Sequence, residues 1–195
     1  MIPDPISITD KATIEEAINL MKINSIRHLP VITKGKELKG LVTLSDLKQA
    51  LIPSMLGDVS LSDLMIKRPI TVKPNDDLEL AAQLIYKHKI SGIPVVKDKK
   101  LVGIITETDI LRAFINMMGI LTASSRIDVV IGDEPDSFKT ALQIINDAGG
   151  DIINVGMTAE QDGKRLYYFR LTACKTDVIK EALEGKGYRV PDAMD

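Results

Sequence analysis

Cysteine occurs once, at Cys174, so no intrachain disulfide can form and a reduced thiol in a cytoplasmic protein is the plain expectation. Histidine occurs twice, at His28 and His88, and the pair lies too far apart, and too far from Cys174, to give the ligand spacing of a zinc site. No stretch approaches the ~18 apolar residues that a membrane helix requires. The first residues also lack a charged leader followed by an apolar run and a small-residue cleavage site, so no signal peptide is expected. Neither sign of charge dominates: 25 basic and 27 acidic residues, net -2, are spread without a block, which leaves no electrostatic footprint for nucleic acid or an anionic membrane. The chain has no Walker-type loop, no dinucleotide glycine fingerprint, no convincing acid-base pair of carboxylates and no general base placed beside Cys174. Catalysis thus has no positive evidence.

What the sequence does contain is one pattern written twice. The chain has 195 residues and is 45% hydrophobic, enough for one large or two modest cores. Pro5-Ile6-Ser7-Ile8 recurs as Pro69-Ile70-Thr71-Val72, and Ile26-Arg27-His28-Leu29-Pro30-Val31-Ile32 as Ile90-Ser91-Gly92-Ile93-Pro94-Val95-Val96, both 64 residues later. Gly40-Leu41-Val42-Thr43-Leu44-Ser45-Asp46 recurs as Gly103-Ile104-Ile105-Thr106-Glu107-Thr108-Asp109, 63 residues later, so one residue is lost in the intervening turn. Repetition at this period calls for paired or stacked units.

Each copy reads β-α-β-β-α. In the first, Thr13-Ile14-Glu15-Glu16 has capping-box spacing, and Ile14, Ala17, Ile18 and Met21 mark one helical stripe. Asp76-Asp77-Leu78-Glu79 opens the matching helix, with Leu78, Ala81, Ala82 and Ile85 on its stripe. Two β-branched runs follow each helix, joined by Lys34-Gly35-Lys36 or by 97–100, and a second helix begins with Ser45 or Thr108 as its cap. Pro53 and Gly57 belong to the joint between copies, and Thr122-Ala123-Ser124-Ser125 reads as a linker. Beyond it, Ile127, Val129 and Ile131 alternate as in a half-buried strand. A helix through Phe138, Ala141, Leu142 and Ile145 then stops at Gly149-Gly150. A hairpin around Asp162-Gly163, a helix over about 176–185 and a strand at 188–190 complete a β-α-β-β-α-β, ferredoxin-like order. Phe114, Ile115, Met117 and Met118 give the helix before the linker more apolar surface than one buried face needs.

These motifs resemble a pair of CBS domains, a Bateman module, followed by an ACT domain. The ACT likeness rests on element order with Asp133-Glu134-Pro135 and Gly149-Gly150-Asp151-Ile152. The combination is similar to bacterial acetoin-utilisation proteins of the AcuB type. The fold class implied is mixed α/β (α+β), with CBS repeats over 1–56 and 57–119, a linker over 120–125 and an ACT-like domain over 126–195.

The resemblance implies that the pair binds an adenosyl ligand, an adenine nucleotide (AMP, ADP or ATP) or S-adenosylmethionine, as a regulatory ligand. The family's ribose-binding aspartate falls on Asp46 and Asp109, and its hydroxyl positions on Thr43, Ser45, Thr106 and Thr108. An ionised carboxylate can accept both vicinal ribose hydroxyls, and a neighbouring helix start offers donors to phosphate. The family's exchange of leading segments puts Ile70 beside Asp46 and Ile6 beside Asp109. Positions facing the phosphates fall on Arg27 and His28 in the first copy and on Ser91 and Gly92 in the second, so the Asp46 site is expected to be the better phosphate site, with Arg112 a partial substitute near Asp109. The family also implies a homodimer through the CBS or ACT domains. Asp136, where ACT domains usually carry a glycine, would repel an amino acid's carboxylate and fits a helix cap, which favours coupling or oligomerisation over amino-acid sensing. Three other readings compete: a ligand-free interaction scaffold, an amino-acid sensor acting through the ACT domain, and an enzyme with an unrecognised site.

Overall fold

A computed structural model describes residues 1–49, 59–158 and 163–195. It divides into two compact units, Met1–Ile110 and Leu111–Asp195. In chain order the elements are β1 (Ile2–Pro3), β2 (Ile8–Thr9), α1 (Ile14–Ile23), β3 (His28–Ile32), β4 (Leu38–Thr43), α2 (Leu44–Gln49), α3 (Leu61–Leu64), α4 (Leu78–His88), β5 (Gly92–Lys97), β6 (Lys100–Thr106), α5 (Glu107–Met117), β7 (Ser124–Gly132), α6 (Ser137–Asp147), β8 (Ile152–Met157), β9 (Lys164–Thr172), α7 (Asp177–Glu184) and β10 (Arg189–Met194). Among the described residues no helix is long and apolar enough to cross a membrane.

The first unit is built on the internal repeat. α1 begins at the expected capping box, Thr13 and Glu16 exchanging side-chain and backbone bonds, and it buries Ala17, Ile18 and Met21 against Leu29, Val31 and Val42. α4 repeats this with Ala81 and Ile85 against Ile93, Val95 and Ile105. Each buried Val, Leu, Ile or Met side chain here contributes about 1.5–3 kcal/mol. Both copies carry a left-handed residue two positions after the helix body or at its cap, Ser25 (φ 53°) and Lys89 (φ 54°), 64 positions apart, so the backbone repeats as well as the sequence. The lost residue lies in the hairpin: Ile32 pairs with Leu38, whereas Val96 pairs with Leu101.

The copies are locked together by exchange. β1, which precedes the first copy, pairs with β6 of the second, Ile2 opposite Ile104; Ile66, which precedes the second copy, bridges Leu41 of the first. The hairpin ends also meet, Leu38 N–H donating to Lys99 O (3.1 Å) and Leu101 N–H to Lys36 O (2.9 Å). Glycine permits the close approach. A Cβ on Gly40 would lie 2.7 Å from Met65 Sδ and 2.9 Å from Ile66 O, and one on Gly103 would lie 2.7 Å from Met1 Sδ.

The second unit carries a four-stranded antiparallel sheet in the order β10-β7-β9-β8. Its core joins Ile127, Val129, Ile131, Phe169 and Leu171 of the sheet to Ala141 and Ile145 of α6 and Ile179 and Leu183 of α7. On β7 Arg126 holds the buried Asp128 through Nε at 2.7 Å, and this bond raises the guanidinium's pKa.

Several elements differ from the sequence reading. β7 starts at Ser124, inside the expected linker, because Ser125 is buried with its hydroxyl satisfied: Oγ donates to Cys174 O (2.7 Å) and accepts from Cys174 N–H (2.8 Å). The first strand of the second copy shrinks to one bridge, Val72 to Val95. α2 and α5 begin at Leu44 and Glu107, so Thr43 and Thr106, not Ser45 and Thr108, sit at the capping position. Asp136 stands at the N-cap of α6 but makes no side-chain cap bond. Its backbone is left-handed (φ 62°), the conformation that favours glycine and that aspartate tolerates better than most residues. The expected joint residues Pro53 and Gly57, the end of the second helix at 50–52 and the turn residue Asp162 lie outside the described residues.

Candidate functional site

The turn from β4 into α2 sets the first functional side chain. Thr43 N–H and Thr43 Oγ1 both donate to Asp46 Oδ2, at 2.9 and 2.7 Å, and Asp46 N–H donates to Thr43 Oγ1 at 3.3 Å. The β6 to α5 turn reproduces the set, with Thr106 and Asp109 at 2.9, 2.7 and 3.3 Å. Both aspartates therefore cap their helices through one oxygen, Oδ2. Each carboxylate is half-buried, and Oδ1 makes no hydrogen bond to a described residue. Capping and ligand binding are thus compatible, since a carboxylate offers about four lone-pair sites.

A cavity of about 560 Å³ opens beside the Asp46 turn. That size suits a nucleoside-sized ligand. Of the residues expected from sequence, Arg27, His28, Thr43, Ser45, Ile70, Ser91 and Gly92 all line it. The two copies meet here. β3 supplies His28, the leading segment of the second copy supplies Ile70, and the start of β5 supplies Gly92. Asp46 is hydrogen-bonded to the lining residue Thr43 but does not itself line the cavity. Leu41, Leu44, Ile66 and Ile90 add apolar wall.

His28 and Gly92 occupy equivalent positions in the two copies and touch. His28 Nε2 is hydrogen-bonded to Ser91 Oγ at 2.7 Å, and a Cβ on Gly92 would fall 3.0 Å from the imidazole. Burial lowers the pKa of His28, Arg27 lowers it further, and Glu107 and Asp46 act in the opposite direction.

The other expected residues lie outside this cavity. Thr106, Thr108 and Asp109 sit at the β6 to α5 turn, and Ile6 sits exposed between β1 and β2. Arg112, exposed on α5, belongs to the second compact unit. Sequence reasoning missed Lys48, Arg68 and Lys89, which also line the cavity. The signal was present: each is cationic where the other copy has Leu111, Asp4 and Ser25.

Residues 1–53 and 61–116 each match the family model described as the CBS domain. Among solved structures, the chain is 35% identical to a protein assigned to acetoin utilization (AcuB) from Vibrio cholerae, covering 60% of this chain and 87% of that one at a TM-score of 0.54. It is 30% identical to the CBS domain pair of protein MJ0100, crystallised with 5′-methylthioadenosine and S-adenosyl-L-methionine (58% and 90% covered, TM-score 0.53). Similarity to CBSX2 in complex with AMP is 31% (60% and 92% covered, TM-score 0.53). Curated relatives include homoserine O-acetyltransferase of Methanohalobium evestigatum, 34% identical over 57% of this chain and 22% of the enzyme. Inosine-5′-monophosphate dehydrogenase of Methanocaldococcus jannaschii is 32% identical over 74% of this chain and 29% of the enzyme. The chain therefore spans less than a third of the length of these two enzymes.

Proposed function

The chain belongs to the CBS-domain family, and from that premise we propose that it is a non-catalytic regulatory protein whose paired repeats bind an adenosine-containing ligand beside Asp46. One observation carries the reading: apolar walls from both copies, together with Thr43, Ser45 and the Asp46 turn, converge on a single cavity. Ile66, Ile70 and Ile90 suit the flat apolar faces of adenine, and Asp46 Oδ1 is available to ribose hydroxyls. The solved relatives that carry S-adenosyl-L-methionine, 5′-methylthioadenosine or AMP support the ligand class. In the large enzymes that share the pair it is a minor part of the chain, in keeping with a regulatory role.

The second unit supports an ACT-like reading by its β-α-β-β-α-β order and its β10-β7-β9-β8 sheet, and we assign it coupling or homodimer formation. Ligand can act on it only by binding two arrangements of the pair with different affinity. Calorimetric titration with AMP, ATP and S-adenosylmethionine tests the reading, with Asp46→Asn as the variant. Asparagine keeps an acceptor for the Thr43 cap but loses the charge that holds two hydroxyls. Saturable binding that this variant weakens at least about tenfold supports the reading. No binding of any adenosyl compound favours the ligand-free scaffold.

A further inference from the structure

Four cationic side chains, Arg27, Lys48, Arg68 and Lys89, line the cavity beside Asp46, and among the described residues no carboxylate does. None of Arg27, Lys48 and Arg68 is in an ion pair with a described residue, while Lys89 Nζ lies 4.6 Å from the centre of the Tyr86 ring. They come from separate parts of the chain: Arg27 just before β3, Lys48 on α2, Arg68 in the segment leading into the second copy, and Lys89 at the end of α4. All four are exposed but share one cavity wall, so a polyanion that reaches them gains charge-assisted hydrogen bonds from several cations at once.

The repeat provides an internal control. At the equivalent positions of the other copy, Arg27 is replaced by Ser91, Lys48 by Leu111, Arg68 by Asp4 and Lys89 by Ser25. Asp4 would add negative charge where Arg68 adds positive. The four cations are therefore not a property of the repeat.

Building on the adenosine reading above, we infer that the Asp46 cavity selects adenine nucleotides bearing a di- or triphosphate, and that it discriminates against S-adenosylmethionine and 5′-methylthioadenosine. Guanidinium groups of Arg27 and Arg68 match phosphate oxygens in pairs, and Lys48 adds a mobile point charge. The sulfonium and ammonium of S-adenosylmethionine outnumber its single carboxylate and meet the same cations unfavourably. Adenosine and methylthioadenosine leave them unneutralised.

The test is calorimetric titration of the full chain with adenosine, AMP, ADP, ATP, methylthioadenosine, S-adenosylmethionine and inorganic tripolyphosphate at low and high salt. Affinity should climb from adenosine through AMP to ATP by at least about a hundredfold and fall with added salt, with one ATP bound per chain. The Lys48→Gln/Arg68→Gln double variant should lose at least about tenfold more in ATP affinity than in adenosine affinity. S-adenosylmethionine binding as tightly as ATP, two equal ATP sites, or an unchanged ATP affinity in the double variant would each overturn the selectivity while leaving adenosine binding in place. Tripolyphosphate matching ATP would show that the nucleoside adds nothing and would overturn the adenosine reading with it. Failure of every adenosine compound to bind overturns the underlying reading instead.

Discussion

Replacing Gly92 by alanine tests the meeting of the two copies directly. Gly92 is buried and its backbone is not left-handed, so alanine introduces no φ strain and the whole effect comes from the added methyl. That methyl would lie 3.0 Å from His28 Cδ2, 3.1 Å from Cγ and 3.2 Å from Nε2, so the imidazole must shift by a few tenths of an ångström. Shifting it draws Nε2 away from Ser91 Oγ, now at 2.7 Å. Overpacking of this kind costs about 1–3 kcal/mol and a weakened hydrogen bond about 0.5–1.5 kcal/mol, so Gly92→Ala should lose about 2–3 kcal/mol in urea denaturation with an unchanged slope. His28→Ala removes both the obstacle and the bond, and the double variant should be more stable than the sum of the single losses by about 1–2 kcal/mol. Additivity within about 0.5 kcal/mol would refute the idea that this glycine exists to admit that ring.

Three further outcomes follow from the geometry. His28 should titrate below the ordinary imidazole value of about 6.5 in NMR. The unfolded chain then binds the extra proton first, so stability falls as pH drops from about 6.5 to the folded value, and His28→Gln should abolish that part of the slope. Gly40→Ala should cost about 1–3 kcal/mol and Gly103→Ala less, because the added methyl meets backbone oxygen at 2.9 Å in the first case and at 3.2 Å in the second; matched thermal melts read the difference. Asp46→Ala and Asp109→Ala should lose similar stability, about 1 kcal/mol each, since both make the same cap, yet only Asp46→Ala should abolish nucleotide binding in calorimetry.

The repeat was legible because its signals are local. The Thr13 and Glu16 box, the helical stripes and the Gly-x-x-Thr-x-x-Asp turns are each fixed within a few residues, and the missing residue of the second hairpin showed as a change of offset. The candidate cavity was legible in part for the same reason: Thr43 and Asp46 share one turn, while Arg27 and His28 sit beside the Leu-Pro step. Lys48, Arg68 and Lys89 each break the repeat with a cation, but three exposed cations on separate segments do not announce a shared cavity until the fold gathers them. Ser124 and Ser125 misled in the other direction. Small polar residues read as a connector, yet Ser125 closes two bonds to Cys174 from 49 positions away, which no local pattern announces. Asp136 resembled a cap by residue type, and only its positive φ shows that the backbone, not the side chain, decides that corner.

Because β1 is lent to the second copy's sheet and Ile66 to the first's, severing the chain between the copies would not release two finished modules. Each fragment would carry a bare sheet border and an orphaned leader seeking one. A lone half should therefore recruit a twin, with two identical fragments trading leaders as the native pair does, and the parent architecture rebuilt as a symmetric assembly from a single half of the gene.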